Sequence, residues 1–445
     1  MTHKTTLRSL SLAMVLAFVG LNAAACRDTS DAGAGSTETA PGATGDTDTT
    51  ESATEGIDTE SGGSTTAVPV DSSPEALENR AYVISEESDD LFVVDLRDMS
   101  QVAKVDIGTG SGTNANHMAI LSKGGTKLYV SATHHNDIVV FDTVKMETVR
   151  RIKVGGHPTH ASACIDCAPF GRDELWVVNE EGGSISVIDM ATDEIVETIM
   201  DSSMVVPHFT RFSDGFAYVP SIGGNQITVI DLNTRKVSDV LLVGGATEPG
   251  ACSADPCGFA DAQIDGNGVL VAAHIETGKV VVYDTKTRTR LADIDGGDRP
   301  WAVFVDQLSN DFDTHLMPNW GDSSVSILDR VKLSEVARSS HGDQESYGVN
   351  YSPLAPNEAF VLNRIKEQVA VINRSTGELI ESLDVGGTTE TATTTADGKY
   401  LLLPLSSTNE FLVLDIVTRA EVARFPDVGV YPWSVTTVGG QNYCH

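Results

Sequence analysis

Three histidines open strand-like phrases on consecutive repeats of this chain: His117-Met-Ala-Ile-Leu, His160-Ala-Ser-Ala-Cys and His208-Phe-Thr-Arg-Phe. Neutral imidazole presents a nitrogen lone pair and is the commonest protein ligand for copper, zinc or iron. Three imidazoles brought to one point could hold such an ion and leave positions open for water or a substrate. Aligned on them, the column continues through Ala260, Trp301, Tyr347, Glu390 and Trp433. Glu390 would be a distant fourth ligand, or a base acting from behind the ligands. Trp301, Tyr347 and Trp433 could stack the flat face of a ligand, or fill the space with no ligand at all. The histidines too have a packing alternative, because duplication copies a residue together with its repeat.

Other candidates are weaker. His134-His135 form either an outer ligand pair or part of a solvated loop. Asp89, Asp90, Glu180 and Glu181 could hold calcium, but no calcium-loop spacing is present and solvated loops account for them. Cys164-Ile-Asp-Cys167 and Cys252-Ser-Ala-Asp-Pro-Cys257 read as two short disulfides of an oxidising compartment, with Cys444 left over. No thioredoxin-like βαβ pattern surrounds Cys164 and Cys167. The chain has no Gly-x-Ser-x-Gly elbow, no phosphate-binding Gly-x-x-x-x-Gly-Lys loop and no His-Glu-x-x-His pair.

The elements that must position these residues repeat. A β-rich triplet, a loop, an alternating apolar strand ending in Asp or Asn, a turn and a further strand recur along the chain. The closing residue falls at Asp95, Asp142, Asp189, Asp231, Asp284, Asp329, Asn373 and Asp415, at spacings of 47, 47, 42, 53, 45, 44 and 42. A period of about 40–50 residues with four strand-like segments is the signature of a β-propeller blade. The closing carboxylates and amide are read as turn residues bonding their own backbone. The first copy, 80–108, has only three strands, and Tyr431–Val438 is a strand phrase without partners. That segment is expected to supply the inner strand of the first blade and close the ring. The expectation is an all-β, single propeller of eight four-stranded blades; seven is the alternative if one copy is degenerate. On this plan His117, His134, His135, His157, His160, His208, His274 and His341 lie on or near one face.

Tyr129-Val130, Trp176-Val-Val-Asn179, Tyr218-Val-Pro220, Val154-Gly-Gly-His-Pro158 and the turn Thr395-Ala-Asp-Gly-Lys399 resemble YVTN-type propeller repeats over roughly residues 80–438. The resemblance implies the fold and little about activity, since such repeats occur in surface proteins, lactonase-like enzymes and redox proteins. Haem-binding nitrite reductases have a similar eight-bladed domain, but their Cys-x-x-Cys-His motif is absent, as Ala168 follows Cys167. Nitrous-oxide reductases gather copper-binding histidines at a propeller mouth in an arrangement this chain lacks.

The N-terminus reads as an export leader. Residues 1–26 carry Lys4 and Arg8, an apolar run from Leu10 to Leu21, and Ala23-Ala24-Ala25-Cys26. Cys26 resembles an acylated lipobox cysteine, although Ala23 stands where Leu is usual; without acylation the chain would be secreted. Residues 27–73 hold ten acidic residues and one basic, with no aromatic, and read as a disordered tether. The propeller is assigned to 74–445. It holds −26 of the formal charge of −33, once −9 for the tether and +2 for the leader are set apart. An acidic surface argues against nucleic acid and against anionic lipid as partners.

The expectation is a monomeric binding or scaffold module in a bacterial cell envelope, meeting the membrane only through a lipid anchor. An envelope protein or a small molecule would bind at the channel mouth. The rival is a copper, zinc or iron enzyme or carrier using His117, His160 and His208. A lactonase-like hydrolase ranks last, for want of a recognisable carboxylate–amide set.

Overall fold

The computed structural model describes residues 70–442, apart from 111, 168, 254–255 and 309–312. The leader, Cys26, Cys444 and most of the tether lie outside the described residues. Asp71 and Ser73 already belong to the fold. The Asp71 carboxylate pairs with Arg97 at 2.9 Å, its carbonyl accepts from Arg80, and Ser73 caps the short helix Pro74–Glu78.

Eight antiparallel sheets follow, each wound from the centre outward. Blade 2 is Asn116–Leu121, Lys127–Ala132, Asp137–Asp142 and Glu147–Lys153; blade 3 is Pro158–Cys164, Glu174–Asn179, Ser184–Asp189 and Glu194–Met200. Blades 4 and 5 begin with Arg211–Ser213 and Gln263–Ile264, and blades 7 and 8 with Ser346–Asn350 and Thr393–Thr394. In blade 6 the inner segment 300–304 is held by two isolated bridges, Pro300–Asn319 and Phe304–Leu316, beside three regular strands. The second and third strands of a blade are covered on both faces by neighbouring blades, so Glu174–Asn179 is buried throughout. The outermost strand faces solvent, and Glu147–Lys153 is mostly exposed. This explains the near-continuous apolar runs in the middle strands and the charged ones outside.

The eight closing residues are turn residues, as expected. Asp142 Oδ1 accepts from the N–H groups of Val144 and Lys145, at 3.0 and 2.9 Å. Asn373 Oδ1 does the same for Ser375 and Thr376, at 3.0 Å each. The paired glycines that end repeats serve close approach. A Cβ on Gly155 would stand 2.7 Å from Asn179 Cβ, and one on Gly297 only 2.1 Å from Asn319 Cγ. Those two asparagines bond paired serines in their blades, Ser184 with Ser186 and Ser324 with Ser326.

Pro432–Thr436 closes the ring as the inner strand of blade 1, with Val435 opposite Val83 and Ser434 opposite Ile84. Blade 1 is completed by Arg80–Ser85, Asp90–Asp95 and Ser100–Asp106. One extension was not foreseen. After closing blade 1 the chain pairs Gln441–Asn442 with Thr393–Thr394 of blade 8. The Gln441 side chain bonds Val305 O at 2.9 Å and accepts from Tyr351 N at 3.3 Å. These are the far ends of three inner strands, so the C-terminal segment crosses the channel opposite the histidine face.

Candidate functional site

Inner strands start at the histidine face, and the loops between second and third strands lie over the same face. In each blade the residue that follows the last one paired with the third strand holds an equivalent place in this loop: Glu86, Thr133, Glu180, Ile222, Ile275, Trp320, Arg364 and Ser406 in blades 1 to 8. Its backbone is anchored the same way in several blades. Glu86 N–H donates to Tyr431 O at 2.9 Å, Glu180 N–H to His157 O at 3.2 Å and Trp320 N–H to Arg299 O at 2.9 Å.

The column beneath needs one correction. Asn116 pairs with Ala132 and Ala119 with Val130, while Pro158 pairs with Asn179 and Ala161 with Val177. Ala132 and Asn179 each end a second strand, so His117 shares its position with Thr159, and His160 shares that of Met118. His208 follows the Pro207–Ser221 bridge and stands with His117. His160 is therefore one residue further along its strand than its neighbours. The proline of Gly155-Gly156-His157-Pro158, and no histidine, takes the first paired position; matching like residues hides that one-place slip.

The slip does not separate the rings. His160 and His208 have centroids 4.2 Å apart, and His117 meets His160 edge-on at 5.0 Å. All three are buried, at 3% exposure or less. Glu180 completes the group: donor atoms of His160, Glu180 and His208 lie within 4.8 Å of one another. Glu180 Oε1 is 3.8 Å from His208 Nε2 and accepts from Thr159 Oγ at 2.8 Å, and Oε2 is 3.2 Å from His157 Nδ1. Burial pushes the Glu180 carboxyl upward, but the His157 hydrogen bond, the His208 charge and the Thr159 bond outweigh it. The group is held below the ordinary carboxylate range. His208 Nδ1 lies 2.7 Å from Ala260 O. A carbonyl can only accept, so Nδ1 carries a proton and Nε2 is the nitrogen turned toward Glu180.

Glu180 was expected as a solvated loop carboxylate; it points inward instead, while Glu181 beside it is exposed. Its role needed tertiary contact, since nothing in Asn179-Glu180-Glu181-Gly182 distinguishes the two. Asp89 is likewise buried, and burial raises its carboxyl while Asn114 N–H donates to it. His134 is exposed and His135 half-buried in a short 3-10 turn.

Glu390, expected as a distant ligand, lies outside this group. Its carboxylate is 2.6 Å from Arg364 Nε and accepts from Ser406 Oγ and Tyr431 Oη, at 2.8 Å each. Trp301, Tyr347 and Trp433 are at most 2% exposed. Trp301 stacks on Trp320 at 4.2 Å, Arg364 lies over Tyr347, and Trp433 packs against His117 and Tyr431. These contacts favour the channel-filling role; the partly exposed rings at the rim are Trp320 and Tyr431. The mouth thus has an imidazole–carboxylate half over blades 2 to 4 and an aromatic–guanidinium half over blades 6 to 1.

The disulfides are Cys164–Cys167 and Cys252–Cys257. The second belongs to the loop that carries Ala260, whose Gly258 N–H donates to Ile222 O at 2.7 Å. On the opposite face a cleft of about 620 Å³ between blades 2 and 3 is lined by Lys123, Lys127 and Arg172, which already pair with Asp166, Asp193 and Glu174.

No family model and no curated protein matches the sequence. Solved structures do match in shape. The dihydro-heme d1 dehydrogenase NirN, in complex with DHE, superposes with a TM-score of 0.65 at 15% identity, covering 82% of this chain and 76% of that one. Apo AztD from Citrobacter koseri gives 0.56 at 14% identity over 81% and 98%. BamB from Moraxella catarrhalis gives 0.52 at 11% over 75% and 88%. At these identities the likeness establishes an eight-bladed propeller and nothing finer.

Proposed function

We propose that this chain is an exported, lipid-anchored propeller that binds a divalent transition metal, of the zinc or copper class, at the mouth of its channel. The observation that carries the reading is the convergence of His160, Glu180 and His208. Two imidazoles and one carboxylate are a donor set that suits zinc and copper, with room left for water or a further ligand. The surrounding bonds are those a ligand set needs. His208 is oriented through Nδ1 by a backbone carbonyl, and Glu180 is oriented by Thr159 and His157. The acidic surface raises the local concentration of cations. The protein is read as a binding module that holds or hands on the metal, with no reaction assigned.

The test is metal content by mass spectrometry on the full chain, expressed with its own leader, without a histidine tag, and extracted in mild detergent. Near-stoichiometric metal, lost in a His160→Ala/His208→Ala variant that still folds, supports the reading. Metal-free protein that stays empty after incubation with zinc or copper overturns it. The anchor is tested separately: Cys26→Ala should move the protein from the membrane fraction to the soluble fraction, and an unchanged distribution would exclude acylation there.

A further inference from the structure

The ring contains a second carboxylate–imidazole arm built on the plan of the first. Glu86 follows the second strand of blade 1 as Glu180 follows that of blade 3. Each donates its backbone N–H to the residue preceding the inner strand of its own blade, Tyr431 and His157 respectively. Each carboxylate then reaches the inner-strand histidine of the next blade. Glu86 Oε1 is 3.8 Å from His117 Nδ1, and Glu180 Oε1 is 3.8 Å from His208 Nε2.

The placement is selective. Among the eight inner-strand positions defined by register, histidine occurs only at His117 and His208. Among the eight loop positions, a carboxylate occurs only at Glu86 and Glu180, one blade before each histidine. Packing alone asks for no acid at either place, since Thr133, Ile222, Ile275 and Ser406 fill the same position elsewhere. His160 lies between the arms, its ring 5.0 Å from His117 and 4.2 Å from His208.

We infer that the mouth is built for two metal ions, the second held by Glu86 and His117 beside the one at His160, Glu180 and His208. The inference rests on the metal reading above and adds a site to it. The second site has two protein donors, and the Glu86 side chain is 27% exposed. Water completes its coordination, and it binds more weakly and exchanges faster than the buried site. A pair of ions side by side can hold one bridging anion between them, so the ligand class implied for the pair is a small oxyanion or carboxylate.

The experiment is a cobalt(II) titration of the untagged full chain, with bound metal counted by equilibrium dialysis. Two ions per chain are expected for the native protein. One is expected for Glu86→Gln/His117→Asn and one for Glu180→Gln/His208→Asn. Loaded with copper(II), the native protein should show a spin-coupled resonance signal that either variant replaces with that of an isolated ion. A native stoichiometry of one, unchanged in Glu86→Gln/His117→Asn, overturns the second site and leaves the first standing. No binding by the native chain overturns both. Because His117 is buried, Glu86→Gln alone serves as the second variant. Its carboxamide should keep the fold by circular dichroism and lower the count to one, and a count still at two would overturn the role of Glu86.

Discussion

His208 donates through Nδ1 to the carbonyl of Ala260 in the next blade, 2.7 Å away. That bond couples a disulfide-bearing loop to the orientation of an imidazole across a blade interface, and it decides which nitrogen faces Glu180.

The groups behind Glu180 should matter nearly as much as the carboxylate. His157→Ala and Thr159→Val each remove one bond to it while leaving every metal donor in place. Each is expected to weaken zinc binding by about 10–100-fold, measured by competition with a chromophoric chelator. Affinity unchanged in both variants would show that Glu180 needs no support.

Arg364 and Glu390 form a buried pair away from the imidazoles, with side-chain exposures of 10% and 1%. Arg364→Ala leaves the carboxylate buried against Ser406 and Tyr431, and should cost about 3 kcal/mol. Urea unfolding would measure it. Arg364→Met combined with Glu390→Gln should recover most of the loss, because the uncompensated charge is then gone. Metal binding should be unaffected in the double variant.

His274 provides a pH dependence. Its ring is buried, Nδ1 accepts from Thr277 N–H at 3.3 Å, and burial pulls its pKa from 6.5 down to about 4. Between those values the unfolded chain binds a proton that the folded one refuses. Stability is therefore full above about pH 6.5 and falls as the pH drops toward 4, by on the order of 3 kcal/mol at most. Melting curves across that window should flatten in His274→Asn. A native curve already flat there would show that the ring is accessible to protons.

The turn carboxylates act at lower pH. Backbone bonds from Thr287 lead in lowering Asp284, the Lys332 side chain leads for Asp329, and Thr418 N–H leads for Asp415. A depressed folded value means the contribution is complete above the unfolded pKa of about 3.8 and is lost as pH falls through the folded one. Asn373 makes the same turn bonds with an amide that does not titrate. Replacing Asp284, Asp329 and Asp415 by Asn should therefore change the melting temperature little at pH 7 and make its fall below pH 4 shallower. A steep fall retained in the triple variant would place the acid sensitivity elsewhere.

The sequence by itself determined the architecture. Eight Asp or Asn closers at near-constant spacing, two-sided apolar middle strands and an orphan terminal strand specify eight blades and their closure. Each of these is local, or repeats at one period. Both disulfides were legible for the same reason, since sequence separations of three and five leave their cysteines little choice. The site was legible only in part. His117, His160 and His208 were marked by type and repeat, but the register of His160 depended on which residue of His157-Pro158-Thr159-His160 pairs with Asn179, and pairing is a tertiary fact. Only the tertiary structure decided that Glu180 turns inward and Glu181 outward, that Glu390 is taken by Arg364, and that Glu86 faces His117. These choices join residues of different blades across the ring. There, burial and hydrogen bonding from a neighbouring strand fix the direction of a side chain, and no period along the chain records them.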